Sequence, residues 1–200
     1  MERARQSGDV PARLTSILIP FKFFVPYEGR RWAAGGALMA NDGEMAATLK
    51  IVRIELDERS LARATADIEH ERKVAIYDLL EENYFEPIGG GAGPFELYLS
   101  NVETRLVFDV RREGGEALGQ VHLSMTPFRK IIKDYFMLCA SYYDAIRTAA
   151  PAQIETIDMA RRSLHNEGSE ILRDRLNEKI NLDLNTARRL FTLICSFHMR

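Results

Sequence analysis

The sequence predicts an α+β domain in which a small antiparallel sheet of about four strands packs against a set of C-terminal α-helices. The first observation is alternation: apolar and polar residues take turns over residues 48–57 and in three short segments between residues 95 and 125. The second is helical spacing, because apolar residues recur every three or four positions from residue 127 almost to the last residue. A run of strands followed by a run of helices is typical of α+β proteins.

Composition and charge narrow the class of protein. The 200 residues include 27 Lys plus Arg and 29 Asp plus Glu, a net charge of −2, and 46% of them are hydrophobic. This is ordinary globular composition without the basic excess of a dedicated nucleic-acid binder. Cys139 and Cys195 lie in apolar runs, which indicates a reduced, cytoplasmic chain. No zinc-ligand spacing occurs, so no metal or cofactor is predicted.

Residues 1–44 are expected to lie outside the domain, which then spans residues 45–200 as a single unit. Three prolines interrupt this segment, and it has no amphipathic period. Its apolar run, residues 14–25, is too short to cross a bilayer, and Pro20 and Lys22 interrupt it as a signal-peptide core. We interpret the segment as a disordered extension, or as upstream sequence translated from a start codon placed too early. A weak targeting signal or a docked apolar strand are the alternatives.

The first elements of the domain are a strand and a helix. Alternation with β-branched residues predicts a strand that ends at Asp57, and Asp67 is predicted to cap a helix that runs to about Asn83. The predicted buried stripe of this helix is Ala75, Ile76, Leu79 and Leu80, and its solvated face carries Glu69, Glu71, Arg72, Lys73 and Glu82. The glycine-rich segment 87–94 then breaks the chain. Because neither a helix nor a lysine follows, we predict a flexible connection there and not a phosphate-binding loop.

The next three strands are predicted to form an antiparallel meander. Short loops join them, and a turn at residues 113–116 separates the last two. Their inward-facing positions are Phe95, Leu97, Leu99, Leu106, Phe108, Val110, Val121, Leu123 and Met125. Polar residues occupy the positions between them, so one face of the sheet is expected to be covered and the other solvated.

A long helix is predicted to follow the meander. Thr126 is its predicted cap, with Pro127 at the first helical position. Its main apolar stripe is Phe128, Ile131, Ile132, Tyr135, Leu138, Cys139, Tyr142 and Ile146. Further apolar residues, Phe136, Met137, Ala140 and Tyr143, fall outside this stripe. The helix is therefore predicted to be buried on more than one side.

Two more helices complete the domain. Pro151 begins a second long helix, and Gly168 either ends it at a left-handed cap or permits close packing in a continuous helix. Continuity is favoured because the same apolar phase resumes after the glycine. Residues 180–184 predict a short strand, and Asn185 is predicted to cap a last helix whose apolar run, residues 190–197, lies in the core.

Four segments carry a resemblance to a known family: DIEHERKVAIYDLLEEN, TPFRKIIKDYF, SYYDAIRTAAPAQIETIDMARRSLHNEGSEILRDRL and TARRLFTLIC. From about Leu49 to the C-terminus the chain resembles uncharacterised protein family 0262, which is bacterial. Family members resemble this chain from about Met45 onward, which supports the start-codon interpretation of the preceding residues. The resemblance implies no activity and transfers no catalytic residue.

The densest polar cluster on a predicted helix is RRSLHNEG, whose candidate binding residues are Arg161, Arg162, His165, Asn166 and Glu167. Arg161 and His165 are four positions apart and share a helix face. In a site, the histidine would act as a general base, Arg161 would bind an anion, and Glu167 or Glu170 would supply a carboxylate. The structural alternative is that these side chains satisfy backbone groups and one another.

Three functions stay open, and the leading one is a non-enzymatic cytoplasmic binding or regulatory domain that self-associates as a homo-oligomer. It rests on the excess apolar surface of helix 127–148 and on the lack of a complete catalytic constellation in the sequence. The first alternative is an enzyme that acts on a small phosphorylated or otherwise anionic substrate at the RRSLHNEG cluster. The second is RNA binding, which requires basic residues of three helices to converge. These residues are Arg129, Lys130, Lys133, Arg161, Arg162, Arg188 and Arg189.

Overall fold

A computed structural model describes residues 48–61 and 66–197 of the chain. Its elements have the predicted α+β order, with three long helices after the main sheet. In chain order they are β1 (Ile51–Leu56), α1 (Ala66–Glu81), β2 (Phe85–Pro87), β3 (Phe95–Val102), β4 (Arg105–Arg112), β5 (Ala117–Ser124), a 3₁₀ turn (Thr126–Phe128), α2 (Arg129–Thr148), α3 (Pro151–Leu176), β6 (Ile180–Leu182) and α4 (Leu184–Ser196). The expectation that residues 1–44 form a disordered extension falls outside the described residues.

The main sheet has the strand order β1-β3-β4-β5. The meander of β3, β4 and β5 is antiparallel, as predicted, with Leu97 opposite Val110 and Phe108 opposite Val121. In contrast, β1 pairs in parallel with β3, so the sheet is mixed and not wholly antiparallel. The chain between β1 and β3 passes through α1, and a crossover of this length allows it to return in the same direction.

A second, two-stranded sheet joins distant parts of the chain. The short strand predicted after residue 180 is confirmed as β6, and it pairs antiparallel with β2, with Phe85 opposite Leu182. The sequence analysis did not predict β2, because three residues give too little alternation to recognise a strand. This pairing joins the residues that follow α1 to those that precede α4, and α4 packs against α1.

The core lies between the inner face of the sheet and the helices. Its largest fully buried side chains include Phe85, Phe95, Phe108, Phe128, Phe191, Leu97 and Leu172. Three features of α1 differ from the prediction. It already includes Ala66, so Asp67 lies within the helix and not at the cap position before it. Leu80 is 39% exposed, whereas Glu71 and Arg72 are half-buried because the C-terminal end of α4 lies beside them.

Two other helix starts differ from the predicted caps. Thr126 and Pro127 form a 3₁₀ turn ahead of α2, and no side chain caps that turn. Asp183, and not Asn185, caps α4, because its carboxylate accepts a hydrogen bond from the Thr186 N–H at 2.6 Å. Asp183 directly follows β6, so it is the first residue available to turn the chain into the helix.

The helix α3 runs without a break through Gly168, as the sequence favoured. A Cβ atom at this position would lie 2.2 Å from Cζ of Phe191, so only glycine allows α4 to pack so closely. In the part of the chain that the structure describes, none of the helices is long and apolar enough to cross a membrane.

The distal part of the α2–α3 hairpin is much less buried than its base. With 13 residues, α4 can cover only part of α3, which has 26. The buried residues of α3 all lie from His165 onward, and those of α2 lie at or before Tyr135, apart from Ala145. We call residues 137–163 the α2–α3 arm. Within it Ala145 is the one buried residue.

The second apolar face of α2 is covered only near the start of the helix. Phe136 packs against the core, whereas Met137, Ala140 and Tyr143 are exposed. The prediction that α2 is buried on more than one side is therefore wrong for the α2–α3 arm. The physical reason is that α4 is too short to cover this face along its whole length.

Candidate functional site

The histidine of the RRSLHNEG cluster lies in the core and not at a surface cleft. His165 is buried, with its ring centroid 5.4 Å from that of Tyr135 and 5.2 Å from that of Phe191. Its Nε2 lies 3.0 Å from the Thr192 hydroxyl, which itself donates to the carbonyl oxygen of Arg188. Because the single hydroxyl hydrogen is used there, the His165 Nε2–H donates to Thr192. This pair connects α3 to α4.

Burial lowers the pKa of His165 from its ordinary value of 6.5 to about 3, and the positive charges of Arg188 and Arg161 act in the same direction. The imidazole is therefore neutral at physiological pH. A general base works best when its pKa lies near the working pH, so His165 is poorly suited to the role that its sequence context suggested.

The two arginines of the cluster share a carboxylate that sequence analysis did not single out. Nη2 of Arg161 lies 2.7 Å from Oδ1 of Asp158, and Nη2 of Arg162 lies 2.8 Å from Oδ2 of the same residue. The Arg161 guanidinium also lies 5.4 Å from the ring centre of Tyr142. Burial opposes the charge of Arg161, but its hydrogen bond with Asp158 contributes to a net increase of its pKa. The i, i+3 and i, i+4 spacings were visible in the sequence and are the signal that would have found Asp158.

The remaining two candidate residues have different surroundings. Asn166 has a buried Oδ1 atom without a hydrogen-bond partner in the described part of the chain. Glu167 is exposed, whereas His165 points into the core. The five candidate residues therefore divide between a buried face of α3 and its solvated face, instead of surrounding one cavity.

Some of the basic residues of α3 and α4 lie close together near His165, whereas Arg189 pairs with Glu82. Burial lowers the pKa of Arg188, and the positive charge of Arg162 lowers it further. Arg161 and Arg188 both act on the pKa of His165. Arg129 and Lys133, by contrast, are exposed on α2. Two of the three basic helices thus contribute to one positive region, and Asp158 neutralises part of its charge.

The two cysteines are free thiols, as expected. Cys195 is buried and Cys139 is half-buried. Burial raises the pKa of Cys139 to about 11 and raises that of Cys195 well above its ordinary value. Neither thiol is activated as a nucleophile, which agrees with their interpretation as core residues.

The glycine-rich segment before β3 accepts hydrogen bonds from an arginine side chain of the same chain, which is the opposite of what an anion-binding loop does. Arg112 donates from Nη2 to the carbonyl oxygen of Gly90 at 2.9 Å and from Nη1 to that of Ala92 at 2.8 Å. A phosphate loop presents N–H groups to its ligand, whereas these carbonyl oxygens face a guanidinium. Among the described residues, no group of three or more His, Cys, Asp or Glu side chains could hold a metal ion.

A second constellation, which sequence analysis missed, surrounds a small cleft of about 20 Å³ between α1, α2 and α4. Its lining residues are Ile68, Glu71, Arg72, Tyr135, Phe136, Thr192, Cys195 and Ser196. Nε and Nη2 of Arg72 are buried and have no hydrogen-bond partner in the described ranges. The sequence placed Glu71 and Arg72 on a solvated helix face. Only the packing of α4 beside α1 reveals the cleft.

Comparison with known proteins identifies the family. The sequence pattern described as "Uncharacterised protein family (UPF0262)" matches residues 48–200. The chain belongs to the UPF0262 family. A UPF0262 protein of Mesorhizobium japonicum is 60% identical over 152 residues, which are 76% of this chain and 94% of that protein. The UPF0262 protein of Xanthobacter autotrophicus is 52% identical over 163 residues, which are 81% of this chain and 99% of that relative.

These relatives confirm the resemblance noted in the sequence and show that the UPF0262 family includes bacterial proteins. Another similar protein, from Paramagnetospirillum magneticum, is 58% identical over 151 residues, which are 96% of its own length. No solved structure matches the chain.

Proposed function

We propose that this UPF0262 protein is a non-enzymatic, cytoplasmic binding or regulatory domain that self-associates through the α2–α3 arm. The observation that carries the proposal is the set of exposed apolar side chains on the arm. Met137 is 54% exposed, Tyr143 is 45% exposed and Met159 is 54% exposed. Single exposed apolar residues are common on protein surfaces, but here three lie on one helical hairpin that lacks a deep core.

The spacing of the apolar residues on α2 supports a helical partner. Phe136, Ala140 and Tyr143 recur at i, i+4 and i+7, which places them on one face of the helix. At Phe136 this face packs against the core, and at Tyr143 the same face is exposed. The stripe therefore continues beyond the part of the domain that covers it. A second helical hairpin placed on the arm would bury the rest of the stripe.

A second copy of the chain is the occupant that fits this surface. Two hairpins that pack side by side about a twofold axis form a four-helix bundle, and each copy then supplies the cover that the other lacks. The charges of the arm have both signs: Asp144 and Arg147 are exposed on α2, and on α3 Glu155 is exposed and Arg162 is half-buried. Two identical surfaces of mixed charge can meet without net repulsion.

The alternative of an enzyme that acts on an anionic substrate has less support. It relies on Arg161, His165, Asn166 and Glu167, but His165 is neutral, buried and hydrogen-bonded to Thr192. Both arginines of the cluster are paired with Asp158. Structural roles account for these contacts more simply than a catalytic one, because His165 joins α3 to α4 and the two arginines form ion pairs within α3.

The mass of the protein in solution tests the proposal. One chain has a mass of 22.8 kDa, and light scattering should give a mass that rises towards twice this value as the protein concentration increases. Tyr143→Glu places a charge in the apolar contact and should shift the protein to the monomer. The matched control is Tyr77→Glu, which changes a tyrosine on α1 that is 64% exposed and lies outside the arm.

The control variant should self-associate like the unmodified protein. A protein that stays at the mass of one chain at every concentration would contradict the proposal. So would an equal loss of self-association in both variants, because the effect would then not depend on the arm.

A further inference from the structure

We propose that two copies of the chain meet through the exposed face of α2 in antiparallel orientation, with Lys133 of each copy paired with Asp144 of the other. This inference rests on the proposed self-association through the α2–α3 arm and adds its geometry. The starting observation is a stripe of exposed residues on α2 at positions i, i+4, i+7 and i+11, which are Lys133, Met137, Ala140 and Asp144. This spacing places the four side chains on one face of the helix.

The order of charges along this stripe is complementary to itself. From its first residue to its last, the stripe is positive, apolar, apolar and negative. Turned end for end, the same order places Lys133 opposite Asp144 of a second copy and Met137 opposite Ala140. Two identical helices related by a twofold axis make each of these contacts twice. The two ion pairs then lie about 16 Å apart along the helix, on either side of a small apolar centre.

The same charges disfavour a parallel arrangement of the two copies. A parallel pair in register would place Lys133 beside Lys133 of the other copy and Asp144 beside Asp144. Like charges in contact repel each other, and such contacts are how protein surfaces exclude wrong arrangements. The stripe therefore selects the antiparallel orientation.

Neither charge of the stripe is used within one chain. The ion pairs of the described residues include neither Lys133 nor Asp144. One turn before Lys133 the helix carries Arg129 and Lys130, which repel it. The helix dipole favours acidic residues near the start of a helix and basic residues near its end, whereas Lys133 and Asp144 have the opposite arrangement. A contact between copies gives both charges a partner.

The antiparallel register also brings together the apolar residues beside the stripe. Its centre lies between residues 138 and 139, so Tyr143 comes within one helical turn of Phe136 of the other copy. Ala140 lies between Tyr143 and Met137 on the exposed face, and its small side chain allows the two helices to approach closely. The contact thus has an apolar side and a charged side.

Charge reversal tests the pairing. In Lys133→Glu the new glutamate faces Asp144 of the other copy, and in Asp144→Lys the new lysine faces Lys133. Each variant alone should self-associate about tenfold more weakly than the unmodified protein, measured by light scattering over a series of concentrations. The control is Lys73→Glu, which makes the same change of net charge as Lys133→Glu at an exposed position of α1, outside the contact. It should self-associate like the unmodified protein.

A mixture of the two variants gives the result that is specific to this register. In a mixed pair, the new glutamate of one copy faces the new lysine of the other, and the unchanged Asp144 faces the unchanged Lys133. An equimolar mixture should therefore associate about as tightly as the unmodified protein. An affinity tag on one of the two variants identifies the mixed pair by co-purification.

The double variant adds a test of specificity. A chain with both Lys133→Glu and Asp144→Lys has the reversed order of charges, so it should self-associate like the unmodified protein. It should form no mixed pair with the unmodified protein, because each ion pair would then be replaced by two like charges.

The outcomes distinguish this register from self-association itself. If the unmodified protein keeps the mass of one chain at every concentration, both proposals are overturned. If it self-associates, and Tyr143→Glu weakens the association but neither charge reversal does, the arm is the contact and the antiparallel register is wrong. The register is also wrong if the charge reversals weaken self-association and their mixture does not restore it.

Discussion

The base and the distal arm of the α2–α3 hairpin have similar apolar patterns but opposite degrees of burial. At the base, Tyr135, His165 and Leu172 are buried where α4 lies against α3. In the arm, the same two helices continue with apolar residues at helical spacing, and Ala145 is the one buried residue. The difference lies in the length of α4 and not in the composition of the hairpin. Apolar periodicity shows that a face needs a cover, but not which part of which chain provides it.

The largest difference between the base and the arm is expected in the free energy of unfolding when one leucine of each is truncated to alanine. Leu172→Ala, at the base, should lower the free energy of unfolding by about 2–5 kcal/mol, because it leaves a cavity in the core. Leu138→Ala, in the half-buried arm, should cost less than about 1.5 kcal/mol in the monomer. Chemical denaturation at low protein concentration measures both values.

A second experiment compares the same two leucine variants at higher protein concentration. If the arm is a contact between copies, only Leu138→Ala should change the dependence of the denaturation midpoint on concentration. Equal costs for the two leucines at low concentration would show that the arm belongs to the core, and the distinction between base and arm would be lost.

A smaller effect is expected from the pH dependence of the base. The pKa of His165 is lowered from 6.5 to about 3 in the folded protein, so the unfolded chain takes up the proton first as the pH falls. The contribution of neutral His165 to the free energy of unfolding is fully present above pH 6.5 and is lost as the pH falls towards 3. Between about pH 8 and about pH 5 the loss amounts to about 2 kcal/mol.

Variants of two histidines isolate this contribution. His165→Gln retains an N–H donor for Thr192 but does not titrate, so its stability should depend less on pH over this interval. His70→Gln, an exposed control on α1, should behave like the unmodified protein. If all three proteins lose stability in parallel, His165 is not buried as a neutral group.

Local patterns were sufficient for most of the fold. Strict alternation predicted β3 to β5, because a two-residue period needs no knowledge of distant partners. The continuous apolar phase after Gly168 likewise predicted an unbroken α3. The parallel pairing of β1 with β3 was not predicted, since the direction of pairing depends on how the chain crosses over and not on the residues of the strand.

Site residues were harder to predict, for two different physical reasons. Asp158 precedes Arg161 by three positions and Arg162 by four, so its ion pairs were accessible from helix geometry and were overlooked. Arg72 gave no such signal. Its burial depends on α4 passing beside α1, about 120 residues later in the chain, and a charged residue on an amphipathic helix is normally solvated.

Hydrogen exchange at two protein concentrations tests the central claim most directly, because it locates the contact between copies in the sequence. The amides of residues 137–163 should exchange more slowly at high concentration than at low concentration. Those of β3, β4 and Leu172 should exchange at the same rate in both samples, since they are already protected within one chain. Exchange in the arm that does not change with concentration, or protection that appears instead at the open edge of β5, would contradict the account.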